Sequence, residues 1–281
     1  MYERVIDTNT HKVFSEESFV DSHDRLKEQL VQVRKYLRNI NQRTRRIEKS
    51  YKPIIKRTGF NEQELELLRS NIMPLVESAM AKKNPKQMND FLDTFIDSFD
   101  DIRRGVDYAT EVMSIEKVSE KQKSILLLYA YLSISEGIYC EAIQQLSFVL
   151  LENSHDIYDP RRMKFAKVCG DLDEIDMFVK LQFLEEHGFK SVVEAFDRKL
   201  RNAIAHQKII VEDSGDIVDP VTQVKILDIK TMATKIKTLI GMSALLPYTI
   251  ALEVFSSHAR SLKKTKLPIE KALSRKGKSV A

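Results

Sequence analysis

Between Ser119 and Glu152 the chain carries Ile125, Leu126, Leu127, Leu128, Tyr129, Leu132, Ile134, Ile138, Ile143, Leu146, Phe148 and Val149. At helical spacing these side chains cover most of the circumference, and a helix that is apolar nearly all round is stable only when other elements surround it. Ser119, followed three residues later by Gln122, is a capping-box start for this helix. The spacing therefore predicts one long helix from 119 to about 152, buried centrally.

The rest of the chain also reads as helical. Only 8 glycines and 7 prolines occur in 281 residues, so long helices with few loops are expected. The length suits one large or two ordinary domains. The division expected here is an N-terminal helical region over 1–117, a second domain over 118–262, and a basic, flexible tail over 263–281 containing Lys263, Lys264, Lys266, Lys271, Arg275, Lys276 and Lys278.

From residue 24 to 57, Leu26, Leu30, Val33, Leu37, Ile40, Thr44, Ile47, Tyr51 and Ile54 recur at alternating four- and three-residue steps, a coiled-coil pattern that weakens at Thr44. The seam is open to two readings, a helix pair within the chain or a dimer zipper between chains, and residues 24–57 are also a candidate surface for a protein partner. The opposite face is basic, with Arg34, Lys35, Arg38, Arg43, Arg45, Arg46, Lys49, Lys52, Lys56 and Arg57 against Glu48 alone. Such a stripe attracts a phosphate backbone in a salt-dependent way, or is a solvated face answered by acidic helices that follow. Pro53 and Gly59 are expected to break the pattern, with two further helices over 61–80 and 84–113 completing a helical hairpin or three-helix bundle.

In the second half, Asp159-Pro160 predicts the start of a short helix ending near Gly170. Asp171 predicts another, closed by Gly188. A helix from about Lys190 to His206 buries Val192, Val193, Phe196, Leu200 and Ile204. A short β-hairpin follows, with Lys208 to Val211 and Ile217-Val218 joined through Asp213-Ser214-Gly215-Asp216, and a last helix runs from Ile229 to about Ser261, kinked at Pro247.

One string carries a chemistry. Leu200 to Gln207 reads LRNAIAHQ, placing Arg201, Asn202 and His206 at the end of an amphipathic helix. A permanent cation, an amide and a group that titrates near neutral pH are what phosphodiester cleavage without metal requires. On an ideal helix Arg201 and His206 project about 140° apart, whereas Asn202 and His206 share a face. For Arg201 and His206 to act on one phosphate, the helix must unwind at the histidine or a second copy must face the first. Glu136, beside Leu132, Tyr139 and Ile143, is a candidate to hold Arg201, with a solvent-facing ridge position as the other reading.

This string resembles the HEPN superfamily, helical domains whose signature is a polar Arg, four to six residues, then His, often with Asn directly after the Arg. The resemblance covers roughly residues 119–262. It implies an all-α, HEPN-like bundle with a short hairpin insert, preceded by the coiled-coil region. It also implies a homodimer whose paired motifs line a composite cleft, and RNA as substrate. The implied reaction is attack of a 2'-hydroxyl on the adjacent phosphorus, leaving a 2',3'-cyclic phosphate. In it His206 is the acid or base, Arg201 stabilises phosphoryl charge and Asn202 orients. Arg34, Lys35, Arg38, Arg43, Arg45, Arg46 and Lys208 are the expected RNA-contacting cations. The biological setting implied is defence or stress. Some toxin members carry Tyr two places after the His; here that position is Lys208.

Other chemistries find no pattern. The sequence has no glycine-rich phosphate loop, no nucleophile elbow and no cysteine-histidine zinc spacing, so no cofactor and no metal are expected. Cys140 and Cys169 are expected as buried thiols in a reduced, cytoplasmic setting. The charged N-terminus reads against an export signal. The longest uncharged run, Thr238 to Leu252, contains Pro247 and falls short of the roughly 18–20 residues a bilayer needs, so a core helix is expected rather than a membrane anchor.

Overall fold

The computed structural model describes residues 21–58, 62–81, 83, 104–108, 110–153 and 155–277. In chain order the elements are α1 (Asp21–Thr58), α2 (Glu62–Ala81), α3 (Glu120–Glu136), α4 (Ile138–Leu151), β1 (Ile157–Asp159), β2 (Lys164–Ala166), a 3-10 turn (Cys169–Glu174), α5 (Met177–Glu186), α6 (Lys190–Glu194), α7 (Arg198–Ala205), β3 (Ile210–Val211), β4 (Ile217–Val218), β5 (Lys225–Leu227) and α8 (Ile229–Gly277). Residues 104–108 and 110–113 are also helical; most of the helix expected over 84–113 lies outside the described residues. Among the described residues the fold is all-α, with two small antiparallel sheets, β1-β2 and β3-β4-β5.

The centre is α8, not the 119–152 helix alone. Residues 239–251 of α8 are buried on every side, packed by α1, α2, α3 and α4. Its apolar sequence is long enough to cross a bilayer by composition, yet 89% of that window is buried within the fold. Val33 and Ile40 of α1, Ile72 and Val76 of α2, Leu127 and Ile143 of α3 and α4, and Leu239 and Val254 of α8 belong to one hydrophobic core. The boundary expected at 117/118 is therefore crossed by continuous packing, and α1 and α2 lie against α8 instead of forming a bundle of their own.

The coiled-coil seam of α1 is filled within the chain. Leu26 and Leu30 meet Ile269, Ala272 and Leu273 of α8. This corrects the expected tail: residues 263–277 continue α8, because Leu262 and Ile269 extend its apolar stripe under α1. Pro53 does not end α1, which runs on to Thr58. Pro53 is exposed, so the carbonyl it leaves unpaired can bond water.

The central helix is interrupted. The capping box at Ser119 and Gln122 forms as expected, but Gly137 (φ −96°, ψ −101°) separates α3 from α4. A Cβ at Gly137 would lie 2.8 Å from the Ser133 carbonyl oxygen, so this bend is open only to glycine.

Asp159-Pro160 opens a hairpin turn rather than a helix. The buried Asp159 carboxylate accepts the backbone N–H of Asp176 at 3.0 Å, of Arg161 at 3.0 Å and of Arg162 at 3.2 Å. These bonds, Asp176's first, hold its pKa below the ordinary range, although burial opposes them. Asp171 caps the 3-10 turn, and α5 starts later, at Asp176, whose side chain accepts the Phe178 N–H. Gly188 (φ +87°) closes α5 in the expected left-handed turn. The helix expected over 190–206 is two helices, parted at 195–197. The expected hairpin gains a third strand, β5, whose Lys225–Leu227 segment pairs with β4.

Candidate functional site

The motif sits on α7, eight residues long, anchored from behind. Asp197 is its N-cap and accepts the Leu200 N–H at 3.0 Å. Its other carboxylate oxygen accepts Lys235 Nζ of α8 at 2.8 Å, and its backbone N–H donates to the Tyr131 hydroxyl of α3 at 2.9 Å. Burial works against the Asp197 charge, but the Leu200 N–H and Lys235 together hold its pKa below the usual range. Tyr131 is fully buried, which pushes its hydroxyl up to about 12. Leu200 and Ile204 face the core. Nearby, the Tyr139 hydroxyl donates to the Val192 carbonyl at 2.5 Å, and its ring stacks on Phe196.

On the outer face, Arg201 is held from two sides. One guanidinium nitrogen donates to Asn202 Oδ1 at 3.0 Å, and another is in short contact with Glu136 Oε1 at the end of α3. Glu136 is thus neither buried nor an isolated ridge residue: its side chain is 46% exposed and that of Arg201 29%. The bend at Gly137 ends α3 next to this pair. Arg201, Asn202 and Glu136 therefore come together as one polar cluster.

His206 does not join them. It is the C-cap of α7 (φ −97°, ψ 11°), exposed, and among the described residues its ring makes no hydrogen bond or ion pair. The helix closes with a Schellman pair: Gln207 N–H donates to the Ile204 carbonyl at 3.0 Å and Lys208 N–H to Ala203 at 2.8 Å. The left-handed residue is Gln207 (φ 53°). It follows the histidine, so the turn comes too late to swing the imidazole back onto the Arg201 face. Lys208 is exposed just beyond.

The basic residues of α1 form a separate surface. Arg34, Lys35, Arg38, Arg43, Arg45, Arg46, Lys49, Lys52 and Lys56 are all exposed. Arg34 pairs with Glu270 at 3.0 Å and Lys52 with Glu48 at 3.6 Å; the other seven make no ion pair among the described residues. Glu270 lies about 35 residues beyond Lys235 on α8, on the order of 50 Å along an ideal axis, so Arg34 is far from the motif.

A cleft of about 770 Å³ opens between the β1-β2 hairpin, α5 and the start of α7, with Tyr158, Arg161, Phe178, Phe196 and Arg198 among its walls. Arg198 Cζ lies 3.7 Å from the centre of the Phe178 ring. Arg198 and Asn202 are four residues apart on α7 and share a face. The cleft and the Asp197 network were not read from the sequence, although an Asp three residues before Leu200 is an N-cap signal.

Other candidates resolve simply. His155 Nδ1 and His187 Nε2 are 3.2 Å apart, a pairing sequence spacing does not reveal. Among the described residues no three His, Cys, Asp or Glu side chains converge as a metal site. Cys140 is a half-buried free thiol whose pKa burial raises. The side chain of Cys169, like that of His23, lies outside the description, as does the whole of His11. Comparison with models of known families, with curated proteins and with solved structures found no match.

Proposed function

We propose that the chain is a metal-independent endoribonuclease of the HEPN type, acting in the cytoplasm. The observation that carries this reading is the pairing of a clamped cation with an unengaged imidazole. Arg201 is fixed by Asn202 and Glu136, while His206, at the end of the same helix, is exposed and available. A fixed guanidinium can meet charge developing on phosphoryl oxygens without reorganising, and a solvent-facing imidazole can move a proton near pH 7. The reaction is attack by the RNA's own 2'-hydroxyl, leaving a 2',3'-cyclic phosphate and a 5'-hydroxyl; DNA is inert.

Arg201 and His206 diverge on one helix, so the complete site is composite. In a two-fold homodimer His206 of one protomer works against the phosphate held by Arg201 of its partner. The biological setting that accompanies such an enzyme is defence or stress.

A second reading is favoured by the seven α1 cations that lack ion-pair partners among the described residues. It makes the chain a non-catalytic RNA-binding adaptor or HEPN scaffold using Lys35, Arg38, Arg43, Arg45 and Arg46. Incubating the chain and its His206→Ala variant with total RNA in EDTA, and analysing product ends, separates the two. Cyclic-phosphate ends made only by the unaltered chain support the nuclease. RNA binding that is lost on charge reversal of the stripe, with no cleavage by either protein, supports the adaptor.

A further inference from the structure

We propose that the β1-β2 hairpin is a base-stacking platform for single-stranded RNA, delivering the strand along the cleft to the motif helix. The proposal rests on RNA being the ligand, and it names the form of RNA, unpaired, that the surface fits.

Strand alternation turns Ile157, Asp159 and Ala166 inward and leaves Tyr158 and Phe165 outward as direct cross-strand partners. Their rings lie 4.4 Å apart, centre to centre, and are 44% and 57% exposed. Each ring covers part of the other, and Met163 at the turn is 80% exposed. The platform is rigid from below, because buried Asp159 ties the turn to Asp176, the N-cap of α5. Two large aromatic faces on a firm hairpin are what unpaired bases stack on, and bases within a duplex cannot reach them.

The charges around the rings suit a phosphate chain. Lys167 lies 6.0 Å from the Phe165 ring centre, and Arg161 is exposed; neither makes an ion pair among the described residues. Arg162 and Lys164 are engaged by Asp159, Asp176 and Glu174 and contribute little free charge. From Tyr158 and Arg161 the cleft runs to Arg198, which lies one helical turn from Asn202 on the motif face. Glu185 and Glu186 also line the cleft, about 10 Å farther along α5 than Phe178. Asp156 and Asp176 line it nearer Arg161, Asp176 being paired with Arg162, so a strand running from Arg161 to Arg198 passes Asp156 as the one carboxylate there that makes no ion pair among the described residues.

The test uses the full chain carrying His206→Ala, so that bound RNA persists. Fluorescein-labelled single-stranded oligouridine and a mixed-sequence RNA duplex are the probes. Tyr158→Ala with Phe165→Ala is expected to weaken oligouridine binding at least about tenfold and leave duplex binding unchanged. The ring-preserving Tyr158→Phe should bind like the parent. The chain contains no tryptophan, so Phe165→Trp introduces a single tryptophan, whose emission is expected to be quenched by unlabelled oligouridine and not by duplex. If the parent binds oligouridine and the double alanine variant matches it, the platform is wrong while the RNA reading stands. If that variant instead converts a dimer to a monomer in sedimentation with RNA affinity unchanged, the hairpin is a protein interface and the proposal fails. Failure of the parent to bind either RNA overturns both, and binding of the duplex but not of oligouridine overturns the platform alone. Quenching by oligouridine with no cleavage by the unaltered chain keeps the platform and removes the nuclease.

Discussion

Glu136, the last residue of α3, holds the guanidinium of Arg201 from across an interhelical gap, and Asn202 holds it from the neighbouring position on α7. Both partners are partly exposed, so the pair contributes under about 1 kcal/mol to stability, and its significance lies in where it points the cation. Glu136→Gln is therefore expected to leave the urea midpoint nearly unchanged. In the nuclease reading it lowers kcat for RNA cleavage about tenfold with little change in KM, and Glu136→Ala lowers it further. Equal loss of stability and activity would make Glu136 merely structural.

Gln207 occupies a left-handed conformation that glycine adopts at no steric expense. Gln207→Gly should raise stability by about 0.5–1 kcal/mol, and Gln207→Val should lower it by about as much or more. Thermal melts of the two variants decide this, and the reverse order would mean that the turn after His206 is not the one described.

His258 is 7% exposed in α8, with Nδ1 lacking a hydrogen-bond partner, and burial holds its pKa below the ordinary value. With the folded value lowered, the unfolded chain takes up the proton first. The contribution of neutral His258 is present above about pH 6.5 and is lost as pH falls below that value. Stability measured by urea from pH 7.5 to 5 should decline, and His258→Leu should decline less. Parallel curves would exclude His258 as the origin.

Glu253 is fully buried on α8 and receives Arg69 of α2 at 2.6 Å, its second oxygen lacking a partner. Arg69→Ala strands that carboxylate and is expected to cost about 3 kcal/mol, the low end for a buried pair because the arginine side reaches solvent. Arg69→Met combined with Glu253→Leu should recover most of the loss. Chemical denaturation of the three proteins checks it, and a double variant no better than Arg69→Ala would argue against the stranded charge.

Helix content, the Ser119 capping box, the buried stripe of Leu200 and Ile204, the left-handed closure at Gly188 and the seam of α1 were legible from residue order. Each depends on contacts within a few residues or on a periodicity that a short window contains. Contacts between distant segments decided the rest. Whether Asp159-Pro160 starts a helix or a hairpin depends on the N–H of Asp176, seventeen residues away, and whether residues 263–277 are tail or helix depends on Leu26 and Leu30 at the other end of the chain. The same holds at the motif. The order of Arg201, Asn202 and His206 was plain in the sequence, but the Glu136 clamp, the Tyr131-Asp197-Lys235 anchor and the outward His206 arise only when α3, α7 and α8 pack together. Burial and long-range hydrogen bonds choose among local alternatives that differ by no more than a few kcal/mol.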